Sequence, residues 1–267
     1  MAVYISSALV TTPGLVDQPL THARIGYQTF LTRFNVTGTA SLAGFPIENV
    51  ANPATYERYR PNANTAVINV DAESAREADY VAIQSKGVTG ILVEYGPASP
   101  VSNFIQVGEA ITSSNTSMFL FPATIARYWR ITLTGDNMQI VKVNIGKALA
   151  MQRAIYGGHA PITLNRVTSV RPNLSEGGQF LGSTAKRQGL TTSFEWSNLT
   201  PGWYRANFDP FAAYLPQANP FFIAWRPSSY PNEVAYCLAK ADPQPSNTGT
   251  RDLMQVGLSV EGFVDGC

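Results

Sequence analysis

Residues 119–152, FLFPATIARYWRITLTGDNMQIVKVNIGKALAMQ, constrain the fold more than any other stretch of this chain. Trp129, Ile131 and Leu133 alternate with Arg130 and Thr132; farther on, Val141, Val143 and Ile145 alternate with Lys142 and Asn144. Side chains switch faces at every residue of an extended strand, so each run reads as a half-buried strand. The link Thr134-Gly135-Asp136-Asn137 is made of residues that tolerate turn geometry. After Ile145 comes Gly146 and a change of character, where one unit is expected to close and another to begin.

The same alternation recurs upstream in Ala66, Ile68 and Val70 and in Ile91, Val93 and Tyr95, with a compact apolar run at residues 80–83. Turn-rich segments such as Gly96-Pro97-Ala98-Ser99-Pro100 lie between them. Many short strands at this spacing predict a β-sandwich over residues 25–149. The charged run at residues 71–79 (DAESAREAD) is expected to be a solvated loop or one helical turn. Residues 1–24 carry weak pattern and read as an extended arm or an edge strand.

Residues 150–267 form the second expected unit, β-rich with one or two short helices. Residues 191–196, 221–225 and 233–239 read as strands, and Met254, Val256, Leu258 and Val260 alternate with Gln255, Ser259 and Glu261. The helix signal spans residues 201–215, with Trp203, Asn207, Phe211 and Leu215 four apart, and Asp209-Pro210 suits a restart of the helix. The fold class is therefore mainly β.

Composition narrows the function. The chain has 45% hydrophobic and 14% charged residues, enough apolar material for a large core and too little charge for disorder. A net charge of +1 gives no electrostatic case for nucleic acid or an anionic membrane, so no sequence-specific nucleic-acid partner is expected. The first residues lack a basic segment followed by a sustained apolar run, so neither a secretion signal nor a membrane anchor is expected. Cys237 lies in an apolar run and Cys267 is the last residue; no disulfide is expected between them. Asn-X-Ser/Thr triplets such as those at Asn35, Asn115 and Asn198 read as chance matches.

Catalytic signatures are missing. His22 and His159 are far apart and read as solvated or turn residues, and no metal-protease, paired-cysteine, nucleophile-elbow or phosphate-loop motif occurs. The carboxylates Asp71, Glu73, Glu77, Asp79 and Glu94 fall in or near a charged stretch and read as solvated. No catalytic residue, cofactor or metal site is expected. Tyr56, Tyr59, Phe104, Trp203, Trp225 and Tyr230 are candidates for stacking on sugar rings. Tyr56, Arg58, Tyr59 and Arg60 stand out because two aromatics and two guanidinium groups share one loop. That loop either contacts a glycan or partner or caps the sandwich core.

Two sets of residues carry a resemblance. Ala40-Ser41, residues 44–49 (GFPIEN), Tyr59-Arg60-Pro61, residues 65–70, 78–83 and 90–95, and residues 126–131 (ARYWRI) together resemble a galactose-binding-like, discoidin-type jelly roll. Residues 151–156 (MQRAIY), 173–182 (NLSEGGQFLG), 219–227 (NPFFIAWRP) and 230–234 (YPNEV) are similar to the C-terminal part of minor tail proteins of long-tailed bacteriophages. The resemblance implies a structural, non-enzymatic virion component assembled in the host cytoplasm. Its implied setting is a ring-forming distal or minor tail protein at the tail tip, joining tail tube to baseplate or fibres around the genome and tape-measure channel. Implied partners are further copies of itself in a ring such as a hexamer, the tail tube protein, the tape-measure protein and other baseplate or fibre proteins. The sandwich-like part leads in this chain, which leaves open which domain forms the ring. The alternative is a carbohydrate-binding adhesin or receptor-binding module that contacts host surface glycans. With five Lys against 14 Arg, and with abundant aromatics, the composition suits protein contacts.

Overall fold

The computed structural model describes residues 1–11, 18–96, 104–108, 111–112, 115–155 and 157–263. The strands are β1 (Ala2–Ile5), β2 (Arg24–Gly26), β3 (Val36–Gly38), β4 (Thr65–Gly96), β5 (Ile105–Gln106), β6 (Ile111–Thr112), β7 (Thr116–Gly146) and β8 (Leu149–Ala150). They continue with β9 (Arg166–Leu174), β10 (Phe180–Leu199), β11 (Phe221–Ala224), β12 (Val234–Ala239), β13 (Ser246–Asn247) and β14 (Met254–Gly262).

β4 and β7 are far longer than an ordinary strand. Each bends and changes partner along its length. Residues 128–134 of β7 lie between residues 65–71 and 90–96 of β4, all antiparallel. Residues 80–84 of β4 lie between residues 116–120 and 142–146 of β7. The two long strands thus supply two layers. The outer layer adds β3 on one side and β5 and β6 on the other. The inner layer adds β1, which pairs in parallel with residues 117–120.

Alternation explains the layering. Val81, Ile83, Phe119, Phe121, Val143 and Ile145 of the inner layer face Ile68, Val70, Trp129, Ile131 and Leu133 of the outer one across a single core. The opposite face of the inner layer, Tyr80, Ala82, Met118 and Leu120, is buried too. A strand covered on both faces needs a continuous apolar run, which is what residues 80–83 provide.

Phe222, Ala224, Val234 and Tyr236 cover that second face. They belong to a larger antiparallel sheet ordered β8-β2-β11-β12-β14-β10-β9, with β13 on β14. Phe221, Ile223, Ala235, Cys237, Val256, Leu258 and Val260 fill its other face, against the helical segment 201–217. Three sheet layers and a helical one therefore stack in succession. The joint also contains polar contacts of buried side chains: Asn144 donates to the Gly26 carbonyl and Tyr236 to the Pro53 carbonyl.

Several expectations are corrected. Of the two readings of residues 1–24, the edge strand holds for β1, which lies at the edge of the sandwich beside β7, while Arg24 belongs to β2, which pairs with β8 and β11 of the second sheet. The division at residue 25 fails because both units draw strands from the start of the chain. Residues 71–79 are strand, not loop or helix; β4 exposes Glu73, Arg76 and Glu77, turns Asp79 inward and bends at Glu73, with φ +63°. In the helical segment the buried stripe is Tyr204, Phe208, Phe211 and Leu215, while Asn207 is exposed. A strict four-residue spacing drifts around a helix of 3.6 residues per turn, and the stripe at 4, 3 and 4 stays on one side. Asp209 makes no side-chain cap, because the chain is already helical before it.

The expected loop at residues 97–100 and the terminal thiol of Cys267 lie outside the described residues. Cys237 is buried and reduced, and burial raises its thiol well above the usual range. Among the described residues no helix is long and apolar enough to cross a membrane.

Candidate functional site

The outward side of the outer sandwich layer carries a polar row. Strand register sets Thr37 beside Asn69, Asn69 beside Arg130, Arg130 beside Glu94, and Glu94 beside Gln106. Five residues from β3, both limbs of β4, β7 and β5 thus line up across the sheet. Each projects outward because its neighbours Val36, Ile68 and Val70, Trp129 and Ile131, and Val93 are buried.

The middle of the row is locked. Arg130 donates from Nε and Nη2 to the two Glu94 carboxylate oxygens, at 2.8 and 3.1 Å. The Phe104 ring lies over the guanidinium, 3.8 Å from ring centroid to Cζ. The next row repeats the device: Arg127 donates to both oxygens of Asp71 at 2.7 and 2.8 Å, and its guanidinium stands over the Tyr128 ring. The Arg127 guanidinium holds the Asp71 carboxyl below the usual carboxylate range. Bidentate pairs of this kind fix the orientation of all four side chains.

Beside these pairs a cleft of 390 Å³ opens, walled by Phe34, Phe104 and Tyr128, with Asn35, Thr37, Asn69 and Asp71 offering polar groups. Phe34 is 82% exposed, with Arg33 stacked on it. The Asn35 side chain is committed to Thr32 and Phe30. Among the described residues, the side chains of Asn69 and Thr37 have no hydrogen-bond partner and remain available to a ligand. Rigid aromatic walls with a few fixed polar groups are what a small polar ligand requires. The arrangement can bind; both nearby carboxylates are neutralised by arginine and positioned as acceptors.

A second cavity, 290 Å³, lies at the joint of the two units and is lined by Arg24, Glu77, Asp79, Lys147 and Trp203 among others. Its charges are engaged. Glu77 pairs with Lys147 at 3.0 Å, and Asp79 accepts the Ala148 N–H at 2.7 Å. Burial pushes the Asp79 carboxyl up to about 6, against the expectation that this stretch is solvated throughout. Among the described residues no cluster of His, Cys, Asp and Glu is placed to hold a metal ion.

The loop singled out in the sequence splits. Tyr59 is fully buried in the sandwich core, exchanges backbone hydrogen bonds with Ile140, and donates its hydroxyl to the Thr39 carbonyl. It cannot touch a ligand. Arg58 donates to Gln139, and Arg60 stacks on Phe45. Tyr56 is 78% exposed. The loop is therefore mainly a cap along β7, with Tyr56 alone presented outward. Of the other aromatics, Phe104 reaches the cleft, while Trp225 and Tyr230 stack on each other at 4.9 Å. Both histidines are half-buried: His22 Nδ1 bonds the Met151 carbonyl and His159 packs edge-on to Trp225. Asn69 and Phe34 were missed; their signal is the register joining strands that are distant in sequence.

No protein-family model matches the chain, and no curated protein matches it in sequence. Solved structures similar to it include chitosan-binding module 1 from a chitosanase/glucanase of Paenibacillus sp. IK-5, at 15% identity and TM-score 0.40, covering 44% of this chain and 98% of that one. The CBM32 of AlyQ in complex with 4,5-unsaturated mannuronic acid is similar at 25% identity and TM-score 0.38, covering 45% and 95%. A pectin-binding carbohydrate-binding module is similar at 15% identity and TM-score 0.37, covering 41% and 87%.

Proposed function

We propose that this protein is a non-catalytic binding subunit whose sandwich holds a saccharide against the outer sheet. The observation that carries this reading is the row Thr37, Asn69, Arg130, Glu94, Gln106 with Phe104 over its centre and Phe34 and Tyr128 at its side. A pyranose has an apolar face and a rim of hydroxyls that both donate and accept. Aromatic walls suit the first, and an amide, a hydroxyl and immobilised carboxylates suit the second. Because Arg130 and Arg127 hold Glu94 and Asp71 in place, little side-chain entropy is lost on binding. Calorimetric titration with a panel of neutral and acidic oligosaccharides tests the reading: binding should be weakened roughly tenfold or more by Asn69→Ala, about the cost of one lost hydrogen bond. Failure of the whole panel to bind removes it.

A second reading, compatible with the first, is a structural subunit of a phage tail tip that displays the sandwich outward toward host glycans. It is supported by the resemblance of residues 151–156, 173–182, 219–227 and 230–234 to minor tail proteins. An exposed β-ribbon at residues 166–185 favours it, because such a ribbon suits assembly better than solitary life. In this reading the partners are tail tube, tape-measure and baseplate proteins and the location is the virion tail. Negative-stain imaging of the purified chain and antibody labelling of virions test it; absence of the protein from virions removes it.

A further inference from the structure

We infer that residues 166–185 are an assembly arm that lies, apolar face down, on a second copy of this chain. The inference rests on the assembly reading above and is independent of the glycan reading.

β10 begins far outside the body. Its C-terminal half, residues 190–199, pairs with β14 and supplies Leu190, Phe194, Trp196 and Leu199 to the core. Its N-terminal part pairs only with β9, and every residue of β9 is exposed. Register sorts the ribbon into two unlike faces. Val170 sits opposite Ala185, Pro172 opposite Ser183, and Leu174 opposite Phe180, so one face is largely apolar. Val167, Ser169, Arg171 and Asn173 alternate with these and give a more polar face, while Arg166 and Thr168 continue the first face toward the base of the ribbon. At the tip, Leu174 is 59% exposed and Phe180 and Leu181 are each 68% exposed.

A two-stranded ribbon with no covered face is marginal in water. Its partner must therefore be present whenever the chain is folded. A second copy, always at equal concentration, meets that condition. The free edge of β9 carries Arg166, Arg171 and Pro172, which lacks an N–H, so strand-to-strand addition is blocked and packing through the face remains.

Charge agrees. Residues 166–185 hold Arg166 and Arg171 against Glu176, a net of +1, and Lys186 and Arg187 at the base bring the paired ribbon 166–190 to +3; the whole chain is +1, so the remainder is −2. An arm of one sign and a body of the other attract between copies. Area sets the pattern. Nine residues per strand make a face about 30 Å long and about 10 Å wide. One arm then buries about 600 Å² counting both sides, half of the roughly 1,200 Å² that a stable interface needs. Each copy must give one arm and receive another, as in reciprocal exchange or a closed ring.

Sedimentation velocity of the full chain over a concentration series tests this. The wild type is expected above single-chain mass. Leu174→Ser/Phe180→Ser/Leu181→Ser, all at exposed positions, is expected to sediment as a single chain with unchanged circular dichroism and unchanged saccharide binding. Val170→Glu, on the same face and outside the tip, should act in the same direction. A wild type that stays single at its highest soluble concentration overturns the inference, as does a triple variant that keeps the wild-type mass. A single-chain wild type that binds phosphatidylserine vesicles or duplex DNA through the arm assigns it a different occupant and equally overturns it.

Discussion

Arg130 grips Glu94 through two parallel hydrogen bonds, and the two side chains form the fixed centre of a polar row that crosses the whole outer sheet. With Phe104 stacked above it, Arg130 is less a free cation than a scaffold for the ligand-facing groups on either side.

Replacing Arg130 therefore tests positioning. Arg130→Lys keeps a positive charge but loses the fork and the flat stack on Phe104. Saccharide affinity is expected to fall roughly tenfold, about 1.4 kcal/mol, with a smaller loss of thermal stability because the pair is partly covered. Phe104→Ala should cost at least as much affinity. Calorimetry paired with thermal melts separates the two effects; an unaltered affinity in both variants removes the row from the binding site.

Asp79 makes stability depend on pH in an unusual direction. Its folded value of about 6 lies above the ordinary 3.8, so the folded state holds the proton more tightly than the unfolded one. Stability from this group is greatest below the unfolded value and declines as pH rises from about 4 to about 6. Asp79→Asn keeps an acceptor for the Ala148 N–H and removes the buried charge. Denaturant titrations should show the variant more stable than wild type at about pH 7.5, with the difference shrinking toward about pH 4. A variant less stable at neutral pH contradicts the assignment.

Lys142 behaves in the mirror sense. Burial lowers its ammonium to about 8, and Nζ donates to the Ala51 carbonyl. The folded state binds this proton more weakly than the unfolded one, so stability from this group rises between about pH 8 and about pH 10.5. Lys142→Met should flatten that rise in unfolding curves taken at several alkaline pH values. An unchanged slope places the source elsewhere.

Gly135 faces Gly87 where β7 and β4 turn together. A Cβ on Gly135 would stand 2.0 Å from the Gly87 carbonyl oxygen, and Gly87 itself has φ +76°. Gly135→Ala forces two backbones apart and is expected to destabilise by about 2 kcal/mol or more. A melting temperature equal to wild type would show that the turn relaxes freely.

Alternation made the layers legible. Trp129, Ile131 and Leu133, and likewise Val256, Leu258 and Val260, are buried as the sequence pattern requires. The site was legible only in part. Arg130 sits on the solvent side of its strand by pattern alone, but no local signal sets Asn69, Arg130, Glu94 and Gln106 side by side; that follows from register between strands dozens of residues apart. Tyr56 and Tyr59 look alike in sequence, and only the bridge to Ile140 decides which is buried. The ribbon at 166–185 escaped because its face is interrupted by Pro172 and two register shifts, so no clean period of two survives.

The most direct measurement is saccharide titration followed by isotope-resolved chemical-shift mapping on the full chain. The account predicts that a bound oligosaccharide perturbs the Asn69 side-chain amide and the Phe104 and Tyr128 rings, and that Asn69→Ala weakens binding. Perturbations confined to Tyr56 and its loop, or a chain to which no saccharide binds, would contradict it.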